Sequence, residues 1–264
     1  MKFYLKRFIL PEMGNKPSYP YGLLASKQMN ELVFDPITIF YGSNGSGKST
    51  LLNIIARKLN ICMNDKGNDA ESLQPFIDSC KYEVTAPFNE HCDVLEESCF
   101  IRSEDVMHGI VKVRQHNERV KEHIRNANPE LYDRFFNNLE GTPGYIWSYD
   151  RWIYNALEKY EEARSNGELA FDYFQSHITE DTLVILDEPE NSLSPKFQKE
   201  LAKMIVDYAR FFNCQFVIAT HSPFLLAITD ALIYDLDKTP SRVSVWDELE
   251  NIKLYAELFQ NNDK

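Results

Sequence analysis

The chain contains a phosphate-loop pattern, G-x-x-x-x-G-K-[ST], which runs from Gly42 to Ser49. The apolar run 36–40 before it predicts a buried strand, and the apolar spacing of residues 51–57 after it predicts a helix. Glycines in a strand-to-helix turn let backbone N–H groups close around phosphate oxygens at the start of a helix. This order of strand, loop and helix therefore predicts a nucleotide site. The predicted nucleotide-binding residues are Asn44, Gly45, Ser46, Gly47, Lys48, Ser49 and Thr50.

Two side chains of the loop and two acids further on are predicted to share this site. Lys48 is expected to reach the β- and γ-phosphates, and the Ser49 hydroxyl is expected to occupy one Mg²⁺ position. The apolar run 183–186 is typical of a strand buried on both faces of a parallel sheet, and Asp187 and Glu188 follow it directly. Asp187 is suited to coordinate Mg²⁺, whereas Glu188 is suited to position and polarise an attacking water. The alternative for two adjacent acids after a strand is a helix N-cap.

A histidine follows the next apolar strand of the chain, residues 215–220. The carboxyl ends of parallel strands meet at one edge of the sheet, so His221 is expected beside the two acids. There it would contact a γ-phosphate, although a structural histidine is the alternative. Lys48, Glu188 and His221 are therefore the predicted catalytic residues.

The order of predicted elements indicates an α/β protein with a mostly parallel sheet flanked by helices. Short strands near the start predict a small antiparallel β layer, and residues 103–160 are predicted to form a helical insertion in a single domain that spans 1–264. Its net charge of −12 and its lack of an apolar run of about 20 residues predict a cytoplasmic protein without membrane contact. Its five cysteines form no C-x-x-C pair and are expected to be reduced.

One predicted helix departs from the acidic composition of the chain. Between residues 102 and 125 there are six basic and four acidic side chains. Residues 106–139 are predicted to be mostly helical, with an interruption or restart at Pro129. Arg114, Lys121 and Arg125 are spaced i, i+7 and i+11, which places them on one face of this helix. This face is a candidate contact for nucleic acid or for an acidic partner, and a solvated surface is the alternative.

Two other features are candidate nucleotide contacts. A turn of small residues at 165–167 opens a predicted helix, which is a second potential anion site. The aromatic rings of Tyr4, Tyr19 and Tyr21 are candidates to stack on an adenine, whereas a half-buried core position is the alternative for each.

Together these motifs resemble those of the ABC-type ATPases, which are P-loop NTPases. Residues 42–50 resemble Walker A, residues 183–188 resemble Walker B, residues 192–194 resemble the D-loop, and His221 resembles the switch histidine. The signature motif of the family is matched by Ser165, Asn166, Gly167 and Glu168. Arg164, Asn166 and Ser194 depart from the transporter pattern of Leu, Gly and Asp at these positions.

The variant motifs resemble particular branches of this family. The signature Ser-Asn-Gly-Glu is similar to that of chromosome-maintenance and DNA-repair ATPases. The stretch from Asp187 to Pro195 is similar to loops of the overcoming-lysogenisation-defect family. Residues 100–104 and 220–226 are similar to those of small stand-alone AAA-type bacterial ATPases, whose relatives are often components of anti-phage or toxin-type systems.

The resemblance implies an ATP- and Mg²⁺-dependent ATPase whose two copies close head to tail over two ATP molecules. Each site would combine the Walker motifs of one copy with Ser165 and Gly167 of the other, and a protein effector would respond to closure. Two alternatives remain: a nucleotide-gated scaffold that hydrolyses little ATP and holds a toxin or nuclease partner, and the nucleotide-binding subunit of a transporter. The signature sequence and the basic helix argue against the transporter subunit.

Overall fold

The computed structural model describes residues 4–12, 19–61, 70–85, 98–133, 136 and 165–261. In chain order the strands within these ranges are β1 (Leu5–Ile9), β2 (Glu31–Val33), β3 (Ile37–Tyr41), β4 (Lys81–Val84), β5 (Cys99–Arg102), β6 (Leu183–Asp187), β7 (Gln215–Ala219), β8 (Leu232–Asp235) and β9 (Arg242–Ser244). The helices are α1 (Tyr21–Ala25), α2 (Lys48–Lys58), α3 (Ala70–Ser79), α4 (Ser103–Ala127), α5 (Pro129–Tyr132), α6 (Asn166–His177), α7 (Pro195–Phe211), α8 (Pro223–Leu226) and α9 (Glu250–Asn261). Short 3₁₀ helices occupy Pro189–Ser192 and Trp246–Glu248.

The main sheet has the strand order β5–β6–β7–β3–β8–β9. All neighbouring strands in it are parallel except β9, which runs antiparallel to β8. Every residue of β3, β6 and β7 is buried, since helices cover both faces of these central strands. One face packs against α2 and α3, and the other packs against α6, α7 and α9. The predicted α/β class with a mostly parallel sheet is therefore confirmed.

The small antiparallel layer is also confirmed, as a sheet with the order β2–β1–β4. Its third strand, β4, was missed because Lys81, Tyr82 and Glu83 are all exposed and show no alternation. The start of α3 was also missed. This helix begins at Ala70 and buries Leu73, Phe76 and Ile77 at helical spacing.

Two helices occupy the first part of the range 103–160 that was predicted as a helical insertion. Helix α4 extends from the end of β5, and α5 follows after the interruption at Pro129, which occupies the first turn of α5 as proline geometry allows. Residues 134–135 and 137–160 of this range lie outside the described residues. Among the described helices, none is both long enough and apolar enough to cross a membrane.

A buried glutamine joins the two sheets. Gln215, the first residue of β7, is fully buried. Its Oε1 accepts hydrogen bonds from the backbone N–H groups of Tyr4 and Leu5, at 3.0 and 2.8 Å. Its Nε2 donates to the carbonyl oxygens of Leu5 and Asp35, at 2.8 and 3.2 Å. The side chain thereby satisfies four backbone groups that the sheet ladders leave without partners.

We expect Gln215→Leu to lower the free energy of unfolding by about 3 kcal/mol or more, because it leaves several buried backbone groups unsatisfied. Denaturant unfolding monitored by circular dichroism would measure the change. Gln74→Leu, at an exposed position of α3, is the matched control and is expected to stay within about 0.5 kcal/mol of the unaltered protein. Equal stability of the Gln215 and Gln74 variants would contradict this role.

Candidate active site

The phosphate loop joins β3 to α2, and its backbone requires glycine. Gly47 has a φ of 101°, in the left-handed region, and directly precedes Lys48 at the start of α2. At Gly42, an added Cβ atom would lie 2.6 Å from Ser46 Oγ. Because Gly47 carries no side chain, no side-chain cap covers the first-turn N–H groups of α2. The loop therefore has the shape and the donors to enclose a phosphate group.

The Lys48 side chain is buried at the centre of the site. Its Nζ donates to the Gly42 carbonyl oxygen at 2.8 Å and lies 2.7 Å from His221 Nε2. Glu188 Oε1 lies 3.6 Å from this nitrogen and 3.5 Å from His221 Nε2. Burial lowers the pKa of Lys48, and the carboxylates of Glu188 and Asp187 oppose that shift. The three residues predicted as catalytic therefore lie in mutual contact.

Ser49 and Asp187, the two residues predicted to bind a metal, are in contact. Ser49 Oγ donates to Asp187 Oδ1 at 3.0 Å, so a hydroxyl and a carboxylate oxygen face the same point. Burial raises the pKa of Asp187 to about 6, while the Ser49 hydrogen bond and the charges of Arg102 and Lys48 oppose the rise. Among the described residues no group of three or more His, Cys, Asp and Glu side chains could hold a metal by itself. One carboxylate and one hydroxyl nevertheless fit Mg²⁺, which commonly takes few protein ligands and completes its shell with phosphates and water.

Glu188 follows β6 with a backbone that is unusual for a residue with a side chain. Its φ and ψ are both 49°, in the left-handed region, which costs about 1–2 kcal/mol. Its N–H donates to the Ala219 carbonyl oxygen at 2.9 Å, and Asn191 Nδ2 donates to Glu188 Oε2 at 3.0 Å. These contacts hold the carboxylate toward Lys48 and His221. The alternative of an ordinary helix N-cap does not apply, since Glu188 makes no side-chain cap to the following 3₁₀ turn.

The end of β5 contributes further polar groups to the site. Arg102 pairs in register with Asp187 on the neighbouring strand. Its Nη2 donates to Asn53 Oδ1 at 3.2 Å, and Asn53 Nδ2 donates to the Ser49 carbonyl oxygen at 2.7 Å. Asn53 was missed, although its spacing of one helical turn from Ser49 is a usable signal. A cavity of about 250 Å³ at this point is lined by Ser49, Asn53, Arg102, Ser103, Glu104, Asp187 and Glu188.

The predicted signature residues lie at the start of α6. Ser165 and Glu168 form a capping box, in which Glu168 N–H donates to Ser165 Oγ at 3.3 Å and Ser165 N–H donates to Glu168 Oε2 at 2.7 Å. The Arg114 guanidinium donates to Asn166 Oδ1. At Gly167 an added Cβ would lie 3.0 Å from the ring of Phe197. The hydrogen bonds of Ser165 and Asn166 thus run to α6 and α4 rather than to the phosphate loop.

The three tyrosines that were candidates to stack on an adenine have different surroundings in the structure. Tyr4 is buried in the core, with 2% of its surface exposed. Tyr21 packs edge-on against Phe76, with ring centroids 4.8 Å apart. Tyr19 is 49% exposed, and its hydroxyl lies 3.0 Å from Thr50 Oγ1 of the phosphate loop. Tyr19 is therefore the candidate that borders the site.

The basic face of α4 makes contacts within the chain. Besides the bond from Arg114 to α6, Lys121 Nζ lies 3.3 Å from Glu118 Oε1 and 5.6 Å from the Phe136 ring centroid. Arg125 donates to the Tyr132 hydroxyl at 2.6 Å and lies over that ring. Contact of this face with nucleic acid stays a prediction.

The raised pKa of Asp187 predicts a pH-dependent cost in stability. Its native pKa of about 6 exceeds the ordinary aspartate pKa of 3.8, so the native state holds this proton more tightly than the unfolded state. The contribution of Asp187 to the free energy of unfolding should therefore fall as the pH rises from about 4 to about 6. We expect Asp187→Asn to raise the thermal unfolding temperature at pH 7.5 in the absence of Mg²⁺ and nucleotide, and to raise it less at pH 5.

Calorimetry at the two pH values would measure this difference. Asp247→Asn, at an exposed position, is the matched control and is expected to show no pH-dependent gain. A lower unfolding temperature for Asp187→Asn at pH 7.5 would show instead that the carboxylate stabilises the native state.

Residues 157–227 match a family model described as an AAA domain, putative AbiEii toxin, Type IV TA system. No curated protein matches the chain. Among solved structures, an Smc head domain from Pyrococcus furiosus is 14% identical, with a TM-score of 0.44, and the alignment covers 98% of this chain and 100% of that one. The SMC head domain from Thermotoga maritima is 14% identical, with a TM-score of 0.43, and the alignment covers 89% of this chain and 94% of that one.

A bacterial ABC transporter cassette, in a dimeric structure, is 14% identical, with a TM-score of 0.41 and coverage of 94% of this chain and 100% of that one. The family match includes Asp187, Glu188 and His221, and the phosphate loop lies in the same site. The family match confirms that residues 157–227 resemble an AAA domain.

Proposed function

We propose that the protein binds ATP with Mg²⁺ and hydrolyses it. The observation that carries this proposal is the convergence of Lys48, Glu188 and His221 within 3.6 Å of one another, at the edge of the sheet where Ser49 contacts Asp187. A cation, a carboxylate and an imidazole beside a phosphate-binding turn are the groups that phosphoryl transfer to water requires.

Each residue has a defined task in this reaction. The N–H groups of the loop and the Lys48 ammonium bind the phosphates, and Ser49 and Asp187 would hold Mg²⁺, which neutralises phosphate charge when bound. The Glu188 carboxylate accepts a hydrogen bond from the attacking water and orients it. His221, whose Nε2 lies 2.7 Å from Lys48 Nζ, contacts the γ-phosphate. The exposed ring of Tyr19 stacks on the adenine.

We further propose that ATP joins two copies head to tail. The start of α6 carries Ser165 and Gly167 on a turn whose hydrogen bonds run away from the phosphate loop of its own chain. A second copy could therefore supply these residues to the site, together with Asn166 and Glu168. Hydrolysis would release the two copies, so ATP acts as a switch for a protein effector in the cytoplasm. The match to a toxin-related family model supports a role in an anti-phage or toxin-type complex.

We expect Glu188→Gln to trap an ATP-bound dimer, because the amide keeps the shape of the side chain and loses the charge that orients water. The mass of the variant with ATP and Mg²⁺, measured by light scattering after gel filtration, should be about twice that of the monomer, and phosphate release should fall at least about 100-fold. Glu180→Gln, an exposed glutamate before β6, is the matched control and should behave as the unaltered protein.

A Glu188→Gln variant that binds ATP and stays monomeric would contradict the dimer. An unaltered protein that dimerises with ATP and releases no phosphate would favour the nucleotide-gated scaffold.

Adding double-stranded DNA or RNA to the same assay would test the basic face of α4. Any stimulation of phosphate release by nucleic acid should be lost when Arg114, Lys121 and Arg125 are replaced.

A further inference from the structure

His221 lies in a loop whose position depends on its backbone contacts. We propose that Glu190 is a positioning residue, which holds the 221–222 backbone so that the His221 ring faces the γ-phosphate. This inference rests on the proposed hydrolysis of ATP. Glu190 lies within the stretch 187–195 but outside residues 42–50 and 183–188, which carry the predicted nucleotide chemistry.

The Glu190 carboxylate is buried and accepts two hydrogen bonds from this loop. Its Oε1 accepts from the N–H groups of His221, at 2.5 Å, and Ser222, at 3.1 Å. Hydrogen bonds from N–H groups to a carboxylate are about twice as strong as those to neutral acceptors. Burial raises the pKa of Glu190, and the N–H group of His221 opposes that rise. A buried carboxylate is costly, and here its bonds go to the backbone that carries His221.

A second group holds the same residue from the other side. Asn251, in the first turn of α9, donates through Nδ2 to the His221 carbonyl oxygen at 3.0 Å. Its own N–H donates to the Tyr41 hydroxyl at 3.3 Å, and the Tyr41 ring meets the His221 ring edge-on at 6.5 Å. The N–H and the carbonyl of His221 are therefore both fixed by side chains from distant parts of the sequence.

A glutamine links Ser222 by hydrogen bonds to the turn that carries Glu190. Ser222 Oγ donates to Gln198 Oε1 at 2.8 Å, and Gln198 Nε2 donates to the carbonyl oxygens of Leu193 and Glu190, at 3.0 and 3.4 Å. The 3₁₀ turn Pro189–Ser192 directly follows Glu188. The network thus links the residue that orients water to the residue that contacts the γ-phosphate, with Glu190 between them.

A purely structural role would act differently. Ser222 caps α8, since its Oγ accepts from the N–H groups of Phe224 and Leu225. If Glu190 served only to support this helix start, its removal would lower stability and leave the function of the His221 ring unchanged. If Glu190 acts through His221, its removal should matter only while the imidazole is present.

A double-mutant cycle between Glu190→Gln and His221→Ala separates the two roles. We expect Glu190→Gln alone to lower kcat for ATP about 10-fold, as for other outer-shell partners. In the His221→Ala background the same change should alter kcat less than about 2-fold, because the ring it positions is gone. Glu200→Gln, at an exposed position of α7, is the matched control and should leave kcat unchanged.

Two readouts do not depend on turnover. The imidazole NMR signals of His221, identified by their loss in His221→Ala, should shift or broaden in Glu190→Gln and stay unchanged in Glu200→Gln. The ratio of ADP to ATP dissociation constants should fall in Glu190→Gln, because a displaced ring loses its contact with the γ-phosphate alone. If Glu190→Gln does not fold, Asn251→Ala removes the other support of His221 and takes its place in the same cycle.

The outcomes distinguish the inference from the proposed function. Additive effects in the cycle, or unchanged His221 signals in Glu190→Gln, would overturn the positioning role while hydrolysis stands. An unaltered protein that binds ATP without hydrolysing it would overturn the proposed hydrolysis, and the NMR signals and the ADP-to-ATP ratio would then decide the role of Glu190.

Discussion

The parallel pairing of β3, β6 and β7 is the constraint on which the site depends. The registers Phe40 with Ala219 and Asp187 with Ala219 bring the carboxyl ends of the three strands to one edge. The residues that follow these strands are then neighbours, although they lie far apart in the sequence. Each strand can occupy this central position because its residues are apolar enough to be buried on both faces.

Several charged side chains lie close together at this partly buried edge of the sheet, and the protonation state of each depends on the charges of its neighbours. Lys48 keeps a cation at low solvent exposure because Glu188 and Asp187 lie near it. Asp187 in turn depends on Ser49 and on the cations around it, and still has a raised pKa. The left-handed backbone conformation of Glu188 is a further energetic cost at this site. Such costs are typical of sites where groups are arranged for binding and chemistry rather than for stability.

The parts of this site that the sequence predicts are those that follow from local pattern. The phosphate loop, the acids after β6 and the histidine after β7 each stand directly next to an apolar strand, so their meeting follows from parallel pairing. Strand β4 and the first turns of α3 were missed because exposed residues show no alternation and because the polar stretch before α3 hides its short apolar spacing. The contacts of Gln215, Glu190 and Asn251 are made between distant segments, and no local pattern encodes them. The choice of Tyr19 among three tyrosines likewise required the packing of Tyr4 and Tyr21 to be known.

The bond network around Gln215 also bears on how the chain acquires its structure during synthesis. Tyr4 and Gln215 are 211 positions apart, and β3 pairs with β7 and β8, which are both made late. At ribosomal rates of about 5–20 residues per second, about 10–40 s separate the synthesis of β1 from that of its anchoring glutamine. Until then the strand that leads into the phosphate loop lacks both of its neighbours. Nucleotide can therefore bind in the native manner only after β7 and β8 have emerged from the ribosome.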